Sequence, residues 1–127
     1  MIDDVDFAGR LARLEIGVEA ADFAADQLIL TTSPGTSPGP TAELLNVRSR
    51  DLDQALTELA AEAVGYYGLV DQVEARRVAA VTEPVGPAHA LTPMPVFLAQ
   101  RGATIAGGTP DIHRNNLAKH LLRTGRM

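Results

Sequence analysis

The sequence predicts an all-α fold, an antiparallel helical bundle. Apolar residues recur at alternating spacings of four and three from Phe7 to Leu28, the mark of an amphipathic helix. A second run of the same kind follows a short connection, from Leu45 to Ala63. No segment alternates apolar and polar residues as a half-buried strand does.

The first helix is expected over about 4–30. Phe7, Leu11, Leu14, Val18, Ala21, Ala25 and Leu28 form its heptad seam. Asp3, Asp4 and Asp6 sit where carboxylates suit the positive end of the helix dipole. Ile16, Ala20, Phe23 and Ala24 widen the apolar face, as in a helix buried by more than one neighbour. Prolines and glycines then crowd residues 31–40, which read as an exposed, flexible linker.

Thr41 is the expected cap of a second helix over 42–64, with Glu43 in its first turn. Leu45, Leu52, Leu56, Leu59 and Ala63 hold its seam, with Leu44, Val47 and Ala60 beside it. Gly65 or Gly68 supplies the stop. Two amphipathic helices joined by a short linker read as an antiparallel pair. The pattern degrades from Leu69 to Pro93, where irregular structure with one helical piece is expected.

A third helix is expected over 94–105, with Pro93 and Pro95 in its first turn, ended by Gly107-Gly108. Thr109-Pro110-Asp111 opens the last helix, about 110–123. Thr109 is its cap, Pro110 its first residue, and Asp111 lies near the dipole. Ile112, Leu117 and Leu121 are expected to face the core and Gly125 to close the helix. The whole chain, 1–127, reads as one helical domain.

Composition narrows the function. Sixteen acidic against eleven basic residues give a net charge of −5, and the arginines are scattered among acids on what read as solvated helix faces. Phosphate binding needs a basic patch, and base stacking needs aromatics, which are 4% with no Trp. Nucleic-acid binding is therefore not expected. With no cysteine, disulfides and thiolate metal sites are excluded. There is no apolar run long enough to span a membrane and no secretory signal at the acidic N-terminus, which fits a cytoplasmic protein.

His113 and His120 stand seven apart on the last helix, not the three or four that pair metal ligands, and His89 has no evident partner, so no metal site is expected. Ser33, Ser37 and Ser49 lack a nucleophile-elbow context, and no phosphate loop or dinucleotide fingerprint is present. Gly107-Gly108-Thr109 is more informative. Paired glycines let backbone come close to a neighbour, and the helix start beyond them presents free N–H groups suited to an anion or a polar ligand edge. On spacing alone, an ordinary helix–helix turn explains the same residues better.

The stretch Ala106-Gly107-Gly108-Thr109-Pro110-Asp111-Ile112-His113-Arg114-Asn115-Asn116-Leu117-Ala118 resembles the C-terminal signature of acyl-CoA dehydrogenases. That signature runs aromatic, Glu or Gly, Gly, Thr, any residue, Glu or Gln, Ile, Gln, Arg, Asn, two apolar residues and Ala. Asn116 is polar where the family is usually apolar. Val64-Gly65-Tyr66-Tyr67-Gly68 is similar to the family's glycine loop, where a neighbouring subunit's backbone approaches the ADP moiety of FAD. Tyr66 replaces the loop's second glycine. The two long helices match the second and third of the family's four-helix bundle.

The resemblance implies an enzyme that oxidises the Cα–Cβ bond of an acyl-CoA thioester with bound FAD, assembled as an oligomer. It assigns Gly65, Gly68, Gly108, Thr109 and Asp111 to cofactor contact; Arg114 matches the motif's arginine, whose ordinary role is packing the helix start. It assigns no catalytic residue, because Gly107 occupies the usual glutamate position and glycine cannot take a proton. The bundle's first helix, which holds the base in some members, and the family's N-terminal and β domains have no counterpart in the sequence. Three expectations follow. The chain is the FAD-contacting and oligomerising C-terminal domain of such an enzyme, inactive alone. It forms a homo-oligomer or joins a partner dehydrogenase chain. An apolar groove lies open along the Phe7-to-Leu28 seam. The alternative is a non-catalytic helical interaction subunit that reuses the bundle.

Overall fold

A computed structural model describes residues 3–124, apart from the side chain of Thr124. Among the described residues four α-helices order the chain: α1 (Val5–Thr31), α2 (Gly39–Ala63), α3 (Pro93–Gln100) and α4 (Pro110–Thr124). There is no strand among the described residues. The all-α prediction holds, and Gly125 lies outside the described residues.

Asp4 caps α1 through its side chain, which accepts from the N–H groups of Asp6 and Phe7 at 2.9 and 3.2 Å. The helix packs against α2 in the opposite direction: Arg10 reaches Glu62, and Gly17 meets Leu52. The buried stripe departs from the heptad reading at one place. Val18 is 41% exposed, while Gly17 is the buried position. A Cβ on Gly17 would stand 2.7 Å from Leu52 Cδ2. The Leu52 side chain fills the space a Cβ at position 17 would need, and hydropathy spacing does not see glycine. The face that Ile16, Ala20 and Phe23 were expected to bury is open instead, with Ile16 and Phe23 about two thirds exposed. The expected groove along the Phe7-to-Leu28 seam is half covered by α2. The bare apolar stripe is on the opposite side of α1, at Val5, Ile16, Phe23 and Leu30, positions that share one helical face.

The linker is shorter than predicted, because α2 begins at Gly39 with Pro40 in its first turn. Thr41 is exposed and does not cap; Pro38 occupies the cap position with no side-chain bond. Proline's fixed φ starts the helix where a cap was expected. Within α2, Leu52, Thr57, Leu59 and Ala61 are buried, while Leu56 of the expected seam is half exposed. The reason is that α2 is touched on two sides, by α1 and by the C-terminal third of the chain.

That third runs back along α2. Met94 lies near Gly68, Arg101 donates to the Gln54 carbonyl at 3.2 Å, Arg50 binds the carbonyls of Ala106 and Gly108, and His113 meets Glu43. The third helix is eight residues long and tightens into a 3-10 turn at Arg101–Thr104, where a helix through 105 was expected. In α4, Leu117 is half-buried, but Ile112 and Leu121 are exposed.

Between Val64 and Pro93 the chain is irregular, with 3-10 turns at Gly65–Leu69, Glu74–Arg76 and Ala88–Leu91. Gln72 organises it. Its buried side chain donates to the Val85 carbonyl at 3.2 Å and accepts from the Val85 N–H at 2.7 Å, closing a loop that has no backbone ladder. The apolar core is small: Leu52, Leu59, Ala61, Val64 and Ala90.

Candidate functional site

The candidate site is the corner between the 3-10 turn and α4, residues 106–111. Gly107 and Gly108 have φ of 70° and 99°, left-handed values that side chains rarely adopt. At Gly108 a Cβ would also stand 3.1 Å from His113 Nε2. Thr109 stands at the start of α4, where its carbonyl accepts the first helical bonds from the N–H groups of Ile112 and His113 at 3.0 and 3.3 Å; none of the described bonds is a capping bond from its side chain.

All three carbonyls ahead of Thr109 are held from the protein side. The Arg50 guanidinium donates to the carbonyls of Ala106 and Gly108. His113 Nε2 lies 3.3 Å from the Gly107 oxygen, and its Nδ1 lies 2.5 Å from Glu43 Oε2. Asn116 donates to the other Glu43 oxygen at 3.1 Å. Glu43, Asn46 and Arg50 lie at spacings of three and four on one stripe of α2, and the Asn46 amide oxygen is buried without a partner. The bond from His113 holds the Glu43 carboxyl below the usual carboxylate range, against the opposing effect of burial. Asn116 and the nearby His120 add to the lowering.

The N–H groups of Ala106, Gly107, Gly108 and Thr109 have no acceptor among the described residues. The corner therefore has donors without a described acceptor at the positive end of α4, while its carbonyls are bonded by Arg50 and His113. Thr109 is half-buried beside them. Asp111 is exposed, and its Oδ1 accepts from Arg114 at 3.3 Å. That pairing is an exposed i, i+3 contact rather than helix-start packing.

The glycine loop is elsewhere. Gly65 terminates α2 with φ of 53° and open space around it. Gly68 is buried, with Val64 Cγ2 and Met94 Cε about its missing Cβ at 3.1 and 3.5 Å. Gly65 lies about 20 Å along α2 from Arg50. Gly108, Thr109 and Asp111 thus cluster, and Gly65 and Gly68 do not join them within one chain. No group of three metal-ligating side chains occurs among the described residues, and no described helix is long and apolar enough to cross a membrane.

Residues 1–122 match the family described as acyl-CoA dehydrogenase, C-terminal domain. The chain belongs to that family. No curated protein and no solved structure matches this acyl-CoA dehydrogenase domain. The match spans both long helices and the corner, and the helical structure agrees with it. The family is generally FAD-dependent and typically oligomeric.

Sequence reasoning missed three residues here. Arg50 was read as a solvated arginine, Glu43 as a dipole partner and His113 only as too far along the helix from His120 to share a metal. Each contact joins positions 56 or more apart in the chain, so no local signal marks them.

Proposed function

We propose that this chain is the FAD-contacting, oligomerising C-terminal domain of an acyl-CoA dehydrogenase and that it does not turn over acyl-CoA by itself. The observation that carries the reading is the corner, where each carbonyl from 106 to 108 is bonded by Arg50 or His113 and no N–H from 106 to 109 has an acceptor among the described residues. Such an edge fits an acceptor-bearing ligand such as a flavin. When bound, FAD supplies the hydride acceptor. The chain's own part is to receive it: Gly108 lets it approach, the N–H row and the Thr109 hydroxyl donate, and Asp111 flanks the entry. Gly65 offers an open backbone at the far end of α2 for a second contact, braced by buried Gly68.

The corner has no free base. Position 107 is glycine, Glu43 is bonded twice, and Asp111 pairs with Arg114. A carboxylate to take the α proton has to come from another chain or segment.

Association is supported by area. The chain exposes 9108 Å² against roughly 6500 Å² for a compact monomer of 13.4 kDa. The bare α1 stripe places large apolar side chains in that excess.

Titrating FAD into ¹⁵N-labelled protein tests the reading. Amide resonances of 107–109 and 111 are expected to move most, and a dye-coupled assay with acyl-CoA is expected to show no turnover. Shifts confined to other residues, or turnover by this chain alone, would refute it.

A further inference from the structure

Two of the positions where the sequence departs from the family signature, His113 for its Gln and Asn116 for its apolar residue, meet on one carboxylate. His113 and Asn116 bind the two oxygens of Glu43. Both ring nitrogens of His113 face acceptors, Glu43 Oε2 and the Gly107 carbonyl. A neutral imidazole donates through only one nitrogen, and imidazolium donates through both. Only imidazolium donates to both acceptors at once. A glutamine in place of His113 carries no titrating proton.

We propose that Glu43 and His113 are a positioning pair that makes the double-glycine corner sensitive to pH. With His113 protonated, its Nε2–H holds the Gly107 carbonyl inward and adds positive charge behind the N–H row. With it neutral, Nδ1–H stays with the Glu43 carboxylate, and a bare Nε2 lone pair faces the Gly107 oxygen. The carbonyl swings free and the donor row loses its alignment. Ligand affinity at the corner then falls as pH rises. That the ligand is a flavin rests on the reading above; the switch itself does not.

The charged groups around the pair are Arg50 from α2, whose guanidinium holds Ala106 and Gly108, and Lys119, His120 and Arg123 from α4, which line a cleft of about 210 Å³ with Glu43 and Asn116. Arg50 fixes the outer two carbonyls, and His113 faces the middle one. His120 is the second histidine at this cleft. It lies seven residues from His113 and belongs in the test as a control.

The experiment follows the Gly108 amide, whose peptide unit contains the Gly107 carbonyl, and the His113 ring by NMR from about pH 5 to about pH 9, without FAD. In the wild type the Gly108 shift is expected to step with the His113 ring. In His113→Gln the step vanishes and the shift stays near its low-pH position, because the glutamine amide still donates. In His113→Ala the shift leaves that position at every pH. His120→Gln keeps the wild-type step. A flat Gly108 shift while His113 titrates, or a step that survives His113→Gln, overturns the proposal. FAD titrations at the two pH extremes then separate the readings. A roughly tenfold weaker binding at high pH, lost in His113→Gln, is expected. If the Gly108 step appears but FAD moves no corner resonance at either pH, the positioning pair stands and the flavin reading falls.

Discussion

Gly17→Ala offers a test whose sign depends on its surroundings. Alanine favours a helix interior over glycine by about 1 kcal/mol. At Gly17, however, a Cβ would stand 2.7 Å from Leu52 Cδ2, and Leu52 is itself buried. The leucine methyl must retreat by several tenths of an ångström in one of the few well-packed places of this chain. Overpacking of this kind costs about 1–3 kcal/mol. The net expectation is a loss of about 1 kcal/mol. Leu52→Ala alone removes packing and costs about 2–5 kcal/mol. In that background the clash is gone, the propensity gain remains, and Gly17→Ala should stabilise by about 1 kcal/mol. The inversion corresponds to a coupling of about 2 kcal/mol, within the range for residues in contact. Urea unfolding followed by far-ultraviolet circular dichroism measures all four proteins, at one protein concentration because association would otherwise contribute. A stabilising Gly17→Ala in the wild-type background, or an equal effect in both, would refute the account of the α1–α2 contact.

Three further outcomes are expected. Ile16→Glu with Phe23→Glu places charge on the bare α1 stripe, and sedimentation velocity should show an oligomer for the wild type and a monomer for the double variant. The Glu62 carboxyl, bonded by Arg10, is held below the usual range, as Glu43 is by His113. A carboxyl lowered on folding contributes stability above its unfolded value, near 4.5, and loses it as pH falls through the folded value. Glu62→Gln should therefore flatten the fall of Tm in acid while leaving the slope near neutrality unchanged, as calorimetry across pH would show. Gln72→Ala strips the Val85 N–H and carbonyl of their partners. It should cost about 1–3 kcal/mol and speed proteolytic cutting between residues 70 and 91, measured against wild type by mass spectrometry.

What the sequence predicted well was what periodicity and terminators encode. The long helices, the proline-rich connection and the start of α4 at Pro110 all follow from local chemistry. The turn before α4 was legible because paired glycines before Thr-Pro-Asp are a local signal. Burial was read less well. Val18 seemed buried and is not, because Gly17 one residue earlier makes the contact. Ile112 and Leu121 were assigned to a core that does not extend to them, since α4 lies on one side of α2 with little else against it. The Glu43–His113 and Arg50 contacts were invisible for another reason. They join distant positions through polar groups, and polar pairing leaves no periodic trace. Gln72 is the same case, a lone amide that substitutes for strand pairing.

The second helix is a party wall. On one side it carries α1, on the other α3 and α4, and the two sides make little contact with each other. Arg48 lines the cleft towards α1, while Arg50, two residues on, clamps the corner. Changes on one side should therefore leave the other undisturbed, and paired substitutions such as Ile16→Glu with Arg50→Ala should add in their effects on monomer stability. A lineage of such chains can exchange its neighbours along α1 while the glycine corner stays as it was.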